Sequence, residues 1–590
     1  MKDFLKYTLA TVLGLLIAGI IGTILIISTL SAVISMADKP VDVKDKSLLL
    51  MRLEENIVER SDKNPLNELE LPGFTTGREL GLDEILEAIK KAETDDRIKG
   101  IYLNPTIINA GMASVEEIRN ALIDFKKSGK FVYAYGETLS QKAYYLVSVA
   151  DKLVLNPKGM VELKGLSVQH SFFKRALEKI GVEMQIIRHG KFKAAVEPFM
   201  LEEMSRENEL QTKTYIGSIW NQIVKGISES RGLSPEVLNN LADSIITFRS
   251  AELLAERGLV DTLMYKDEVI NDLKEKTSIQ EKSDLRVVDV RSYARVPGET
   301  DGKGLARDKL AVIYATGDID LGGDGAKSID SEELSRAIRE ARRDSSVKAI
   351  VLRVNSPGGS AYGSEVIWRE VKLASQVKPV IASMGDVAAS GGYYIAAQAD
   401  TILADRTTIT GSIGIFAMIP NAGELLNDKL GITQDVVKTN EHADILSLTR
   451  KLTGFEQALL QQYIEEGYKT FVDRVAEGRS LSFAQVDSVG EGRVWAAENA
   501  IANGLVDMYG GLNDAVKLAA EKAGLERYRI VRLPKLKDPF EEWMKELTGN
   551  ARARALRDEL GDNYRIYREL KNLTKARGVL ARLPFNLYVE

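Results

Sequence analysis

At 590 residues the chain is too long for one hydrophobic core, so two or more domains are expected. With 44% hydrophobic and 28% charged residues it reads as folded, and a formal net charge of −6 gives no basic footprint for nucleic acid. The absence of cysteine excludes disulfides, thiolate nucleophiles and cysteine-ligated zinc, and the three histidines, His170, His189 and His442, are too scattered for a His-rich metal site.

In chain order, the first feature is an uncharged run from Tyr7 to Ala37, dominated by Leu, Ile, Val, Gly and Ala. About 20 apolar residues span a bilayer, so residues 1–40 are expected to be an N-terminal transmembrane anchor. A cleavable signal peptide ending at Ser35-Met36-Ala37 is the competing reading, although its apolar core would normally be only about 7–15 residues. Lysines flank both ends of the run, so orientation rests weakly on charge. A signal anchor places the body outside the cytoplasm.

The body then contains itself twice. Ala143-Tyr144-Tyr145-Leu146 through Asp151 returns as Gly392-Tyr393-Tyr394-Ile395 through Asp400. Ile180-Gly181-Val182 returns as Leu430-Gly431-Ile432, and Gly258-Leu259-Val260-Asp261 as Gly504-Leu505-Val506-Asp507. Three matches in one order at nearly one offset imply a tandem duplication. The first copy spans 41–296, with expected strands at Ser47–Leu53, Ile98–Leu103 and Phe131–Tyr135. A Gly-rich, charged linker follows at 297–308, and the second copy spans 309–540. Its expected strands are Leu310–Tyr314, Ala349–Val354 and Val380–Ser383, with helices at Ser331–Arg342 and Gly363–Ala374. Short apolar runs alternating with helices point to parallel strands in an α/β fold. The extension 541–590, charged and helical in pattern, has no counterpart in the first copy.

Two glycine-rich segments follow strands of the second copy, Asn355-Ser356-Pro357-Gly358-Gly359 and Gly385-Asp386-Val387-Ala388-Ala389-Ser390-Gly391-Gly392. Open α/β sheets bind ligands at the carboxyl ends of strands. There Ser390 is a candidate nucleophile, and Gly391, Gly358 and Gly359 are candidate backbone donors to an oxyanion. The plainer reading makes Ser390 an ordinary helix N-cap. The first copy has Gln141 at the place of Ser390 and Asn104-Pro105-Thr106 at the place of Asn355, without the glycine pair. The fold elements therefore persist where the chemistry does not. A serine needs a base, and Lys193 stands where the second copy has Ala443, among Phe192, Ala194, Ala195, Val196 and Phe199. Burial in such surroundings would keep an amine neutral. On residues alone, Lys191 competes with it.

At these residues the chain resembles the signal peptide peptidase A family, also called protease IV, in its long membrane-anchored bacterial form. The resemblance covers about residues 45–520 and rests on Lys193-Ala-Ala-Val-Glu-Pro-Phe199, Asn355–Gly359, Met384–Tyr394 and Thr410-Gly411-Ser412-Ile413-Gly414. It implies a tandem ClpP/crotonase-like α/β superfold, with Ser390 as nucleophile and Lys193 as general base. Gly391, Gly358 and Gly359 would form the oxyanion hole and Ser412 would orient the lysine. It further implies a homotetramer on the inner (cytoplasmic) membrane, facing the extracytoplasmic side, that degrades cleaved signal peptides and other apolar peptides. No cofactor and no metal are called for. The rival readings are a crotonase-type acyl-CoA enzyme and a non-catalytic membrane scaffold.

Overall fold

The computed structural model describes residues 4, 6–8, 10–22, 42–61, 79–297, 306–322, 328–536 and 579–582. Residues 10–22, the start of the apolar run, are helical, and the rest of the expected span lies outside the described residues. Among the described residues no helix is long and apolar enough to cross a membrane. The core of the linker, 298–305, and most of the C-terminal extension also lie outside them.

The duplication is visible as two parallel sheets. In the first, strands β1 (Ser47–Met51), β2 (Ile98–Leu103), β3 (Phe131–Leu139) and β4 (Lys152–Val161) run side by side in the order β4-β3-β2-β1, flanked by Thr262–Leu263 and Val287–Asp289. Strand β5 (Glu183–Arg188) then leaves this sheet. In the second half, β6 (Lys309–Thr316), β7 (Val347–Ser356), β8 (Gly358–Ser360), β9 (Val380–Ala389), β10 (Ile409–Gly411), β11 (Phe416–Asn421) and β12 (Val494–Ala496) follow. The second sheet carries the order β12-β10-β9-β7-β6, with only β12 antiparallel to its neighbour. Every residue of β1 is buried, as the unbroken apolar run Leu48–Met51 requires of a strand covered on both faces.

Helices cover these sheets by the expected periodicity. In Ser331–Arg343, Leu334, Ala337, Ile338 and Ala341 face inward, Asp330 caps the first turn and Arg342 and Arg343 complement the last. A short helix α1 (Gln141–Val147) follows β3, and the long helix α2 (Arg206–Arg231) has its counterpart in the second copy in the equally long Gly454–Arg479. A short helix α3 (Gly391–Ala396) follows β9.

The two halves are not independent. The first core takes in Ala389, Ile409, Val494 and Ala496 from the second half. A third sheet joins the halves, in the order Ser328–Asp330, Asp318–Asp320, β8, β13, β11, β5. Here β13 is Val579–Arg582, the described part of the C-terminal extension, and it is a strand where a helical pattern was expected. Its backbone groups find partners on two sheet edges, which local periodicity does not report. The pairing of β5 with β11 carries the first copy's chain across to the second.

Candidate active site

Strand β9 extends six residues beyond the expected Val380–Ser383, so the glycine-rich segment is itself strand as far as Ala389. The chain then turns at Ser390, with φ 53° and ψ −116°. A non-glycine residue in such a conformation costs about 1–3 kcal/mol and persists only where its surroundings enforce it. Ser390 N donates to Gly411 O of β10 at 2.8 Å, and Ser390 O accepts from Tyr394 N at 2.8 Å, which fix the turn between β9 and α3. The Ser390 side chain makes no capping bond, so the N-cap reading does not describe it. The first copy shows the ordinary alternative. Ser140 caps α1 by accepting from Ala143 N, and the Gln141 amide is spent on the backbone of Lys164 and Gly165.

Lys193 lies on the segment after β5, just before a one-turn 3-10 helix at Ala194–Val196. Of the two competing lysines, Lys191 is exposed and within ion-pair reach of Glu491, whereas Lys193 is fully buried. Its neighbours Phe192, Ala194, Ala195, Val196 and Phe199 are all buried, as the sequence suggested. The segment is held at both ends. Arg188 donates to Lys193 O at 3.1 Å, and buried Glu197 accepts from Ser205 Oγ and Asn208 Nδ2 at the start of α2. From α2, Gln211 donates to Phe192 O at 3.2 Å and accepts from Val494 N at 3.1 Å, tying the lysine segment to β12.

The amine meets three groups. Lys193 Nζ lies 2.9 Å from Ser390 Oγ, 3.0 Å from Ser412 Oγ and 3.2 Å from Ser412 O. Among the described residues no carboxylate lies within ion-pair distance of it, and burial holds its pKa well below the ordinary lysine value of 10.5. A neutral amine has two N–H groups and one lone pair. The Ser412 carbonyl can only accept, and the Ser412 hydroxyl, which donates to Gly492 O at 3.2 Å, is also left to accept. With both N–H groups on Ser412 the lone pair faces the Ser390 hydroxyl at 2.9 Å, whose other acceptor within reach is Gly414 O at 3.4 Å.

Backbone glycines press this arrangement together. Gly492 has φ +82°, and a Cβ added there would lie 2.6 Å from Lys193 Cβ and 2.7 Å from Lys193 N. Of the three expected oxyanion donors, Gly391 N opens α3, where the first N–H groups lack intrahelical partners. Gly358 N donates to Ser356 Oγ at 3.1 Å, and Gly359 faces Ile319 and Ala581 across the third sheet. His189 contacts Glu465 and stacks on Tyr468, and His442 contacts Glu456.

Behind β9 lies a polar hub that sequence reading did not find. Fully buried Arg353 on β7 donates to Glu59 and Glu117 from the first half and to Ser383 Oγ. Asn355 donates to Glu59 Oε1 at 2.8 Å, and Asp386 accepts from Ser114 N and Oγ. The partners are about 240 to 300 positions apart in the chain, too far for any local motif to announce.

A fully buried amine against a serine hydroxyl on a strand-to-helix turn is an arrangement that can support acyl transfer without a histidine. The comparisons with known proteins agree. The family model of peptidase family S49 matches the chain twice, at residues 124–280 and 372–526. The chain is 35% identical over 516 residues to "Serine protease SPPA, chloroplastic" of Arabidopsis thaliana, covering 86% of this chain and 75% of that protein. It is 37% identical to "Protease 4" of Salmonella typhi (81% and 77% covered) and 34% identical to "Protease 4" of Haemophilus influenzae (85% and 83%). A solved ClpP1 mutant from Listeria monocytogenes is 15% identical, covers 35% of this chain and 94% of that one, and has a TM-score of 0.24, at which the likeness carries no argument. The chain belongs to peptidase family S49, with the family domain present in two copies, and it is a serine peptidase.

Proposed function

We propose that the chain is an endopeptidase with a Ser–Lys dyad, Ser390 as nucleophile and Lys193 as general base. The supporting observation is the 2.9 Å approach of Lys193 Nζ to Ser390 Oγ in a site from which both residues are shielded from solvent. Neutral Lys193 accepts the hydroxyl proton as Ser390 Oγ bonds to the substrate carbonyl carbon, and the carbonyl oxygen becomes the oxyanion. The backbone N–H of Gly391 stabilises it, and that of Gly358 joins only by leaving Ser356 Oγ; loss of one such donor typically costs about 3–4 kcal/mol. Protonated Lys193 then hands its proton to the leaving amine, the C–N bond breaks, and water hydrolyses the acyl-enzyme by the same route in reverse. Ser412 keeps the amine aimed throughout.

The substrates are cleaved signal peptides and other apolar peptides, consistent with the apolar cluster of Ala195, Val196, Phe199, Phe416 and Met418 beside the lysine segment. The apolar run Tyr7–Ala37 anchors the chain, as a single pass, in the inner membrane, with the two ClpP/crotonase-like repeats on the extracytoplasmic side as a homotetramer. The test is digestion of synthetic signal peptides by the detergent-solubilised full chain, with products read by mass spectrometry. Wild type should cleave, whereas folded Ser390→Ala and Lys193→Met should not. Turnover by either purified variant would refute the dyad.

A further inference from the structure

The turn that presses on Lys193 is held from outside the site. Residues 490–493 touch the lysine segment and the Ser412 segment together. Glu491 O accepts from Phe192 N at 3.1 Å, and Gly492 N donates to Ile413 O at 2.7 Å. Gly492 O accepts from Ser412 Oγ at 3.2 Å, and Arg493 O accepts from Ser412 N at 2.6 Å. The turn is strained, because Glu491 at φ 50° and Gly492 at φ 82° are left-handed in succession. A non-glycine residue keeps such a conformation only where its surroundings enforce it.

Tyr468 supplies that enforcement. It lies buried on the long helix Gly454–Arg479, and its hydroxyl donates to Asp487 Oδ1 at 2.6 Å and accepts from Glu491 N at 3.1 Å. Donation to Asp487 fixes the hydroxyl hydrogen, which leaves a lone pair for the Glu491 N–H. The fit is close, since a Cβ added to Gly490 would lie 2.8 Å from the Tyr468 hydroxyl oxygen. The Tyr468 ring is held in turn by His189, stacked on it at a centroid separation of 3.7 Å. Trp495 Nε1 secures the entry to the turn by donating to Val489 O at 2.9 Å. The charged groups around the turn have other partners than the amine. Asp487 holds Tyr468, Glu491 faces Lys191, His189 contacts Glu465, and Arg493 lies over the rings of Phe192 and Trp495.

We propose that Tyr468 is a positioning residue for the dyad: its hydroxyl holds the turn 490–492 in the strained form that seats Lys193 against Ser412 and seals the amine from water. The inference rests on the dyad reading for its effect on rate, but not for its effect on the turn. Loosening the turn would free Gly492 from Ser412 Oγ and admit water to the amine. Burial is what depresses the Lys193 pKa, so hydration would raise it.

The test compares Tyr468→Phe with Tyr144→Phe in the full chain. Each deletes one hydroxyl from a buried ring; that of Tyr144 donates to Leu259 O at 2.9 Å, within the first half. In Tyr468→Phe, kcat for a fluorogenic apolar peptide should fall about 10-fold with KM unchanged. The acid limb of kcat/KM should move to higher pH. Burial and the bond to Asp487 keep the Tyr468 phenol protonated beyond its ordinary 10.0, so that limb reports the lysine. Tyr144→Phe should melt at a similarly lowered temperature and keep both kcat and the limb. Asp487→Asn, which still offers Tyr468 an acceptor oxygen, should keep kcat within about twofold of wild type. An unmoved acid limb in Tyr468→Phe, or equal losses of kcat in the two phenylalanine variants, would overturn the proposal. Amide hydrogen exchange in the Ser390→Ala background reads the turn without turnover. Peptides carrying residues 490–493 should exchange about 10-fold faster in Tyr468→Phe, and unchanged protection would overturn the proposal. Faster exchange there, beside a Lys193→Met enzyme as active as wild type, would support the hold of Tyr468 on the turn and indict the dyad instead.

Discussion

Gly492 offers a test of how finely Lys193 is placed. In Gly492→Ala the new Cβ would lie 2.6 Å from Lys193 Cβ, and ordinary contact begins at 3.4 Å, so the lysine must retreat by about 0.8 Å. A misplacement near 1 Å costs on the order of 100-fold in rate, so kcat should fall roughly 10- to 100-fold with little change in KM. The residue also has φ +82°, where alanine is strained, so stability should fall by about 1–3 kcal/mol. Gly504→Ala separates the two effects. Its φ is +73°, but its added Cβ would meet only Leu481, at an ordinary 3.6 Å. It should lose comparable stability and keep kcat. The assay is steady-state hydrolysis of a fluorogenic apolar peptide, with thermal melts on the same preparations. A Gly492→Ala enzyme with kcat within twofold of wild type would refute the reasoning, as would equal loss of kcat in Gly504→Ala.

Lys193→Met should be inactive yet more stable. The folded pKa of Lys193 lies below 10.5, so between the two values the unfolded chain binds a proton that the folded chain does not. Stability therefore rises with pH through that window, and the buried amine is a net cost at neutral pH. The methionine variant should melt at least about 2 °C higher at pH 7 and show a flatter rise in stability toward pH 10. Ser412→Ala removes an acceptor of the Lys193 N–H, and such a bond favours the charged amine more than the neutral one. The acid limb of kcat/KM should move to lower pH, while kcat falls about 10-fold through looser aim, as a pH–rate series would record. Arg353→Met leaves Glu59 and Glu117 buried without their cation and should cost about 3–5 kcal/mol in denaturant unfolding. The deficit should shrink at acid pH, because burial raises the Glu59 pKa and the folded variant then holds a proton that the unfolded chain lacks.

Much of the architecture was legible because the duplication supplied its own comparison. The strands β2 and β7 and the flanking helices appear close to their expected bounds. The glycine-rich strand end marked Ser390 as a candidate, and the contrast with Gln141 in the first copy strengthened it. The choice between Lys191 and Lys193 was not legible. Both lie in one short turn, and only the packing of Gly492 and the apolar neighbours buries the second. Gln211, Arg353 and Gly492 escaped notice for one reason: each acts on a partner from the other half of the chain, and periodicity reports only local partners. Strand β13 was misread because its sequence alone does not favour a strand; two waiting sheet edges do.

The central claim, that Lys193 activates Ser390, is tested most directly by labelling with a fluorophosphonate across pH, followed by intact-protein and peptide mass spectrometry. One adduct should form on Ser390, with a rate that climbs with pH through a lysine pKa depressed below 10.5 and collapses in folded Lys193→Met. An adduct on another residue, or a Lys193→Met protein that labels as fast as wild type, would contradict the account.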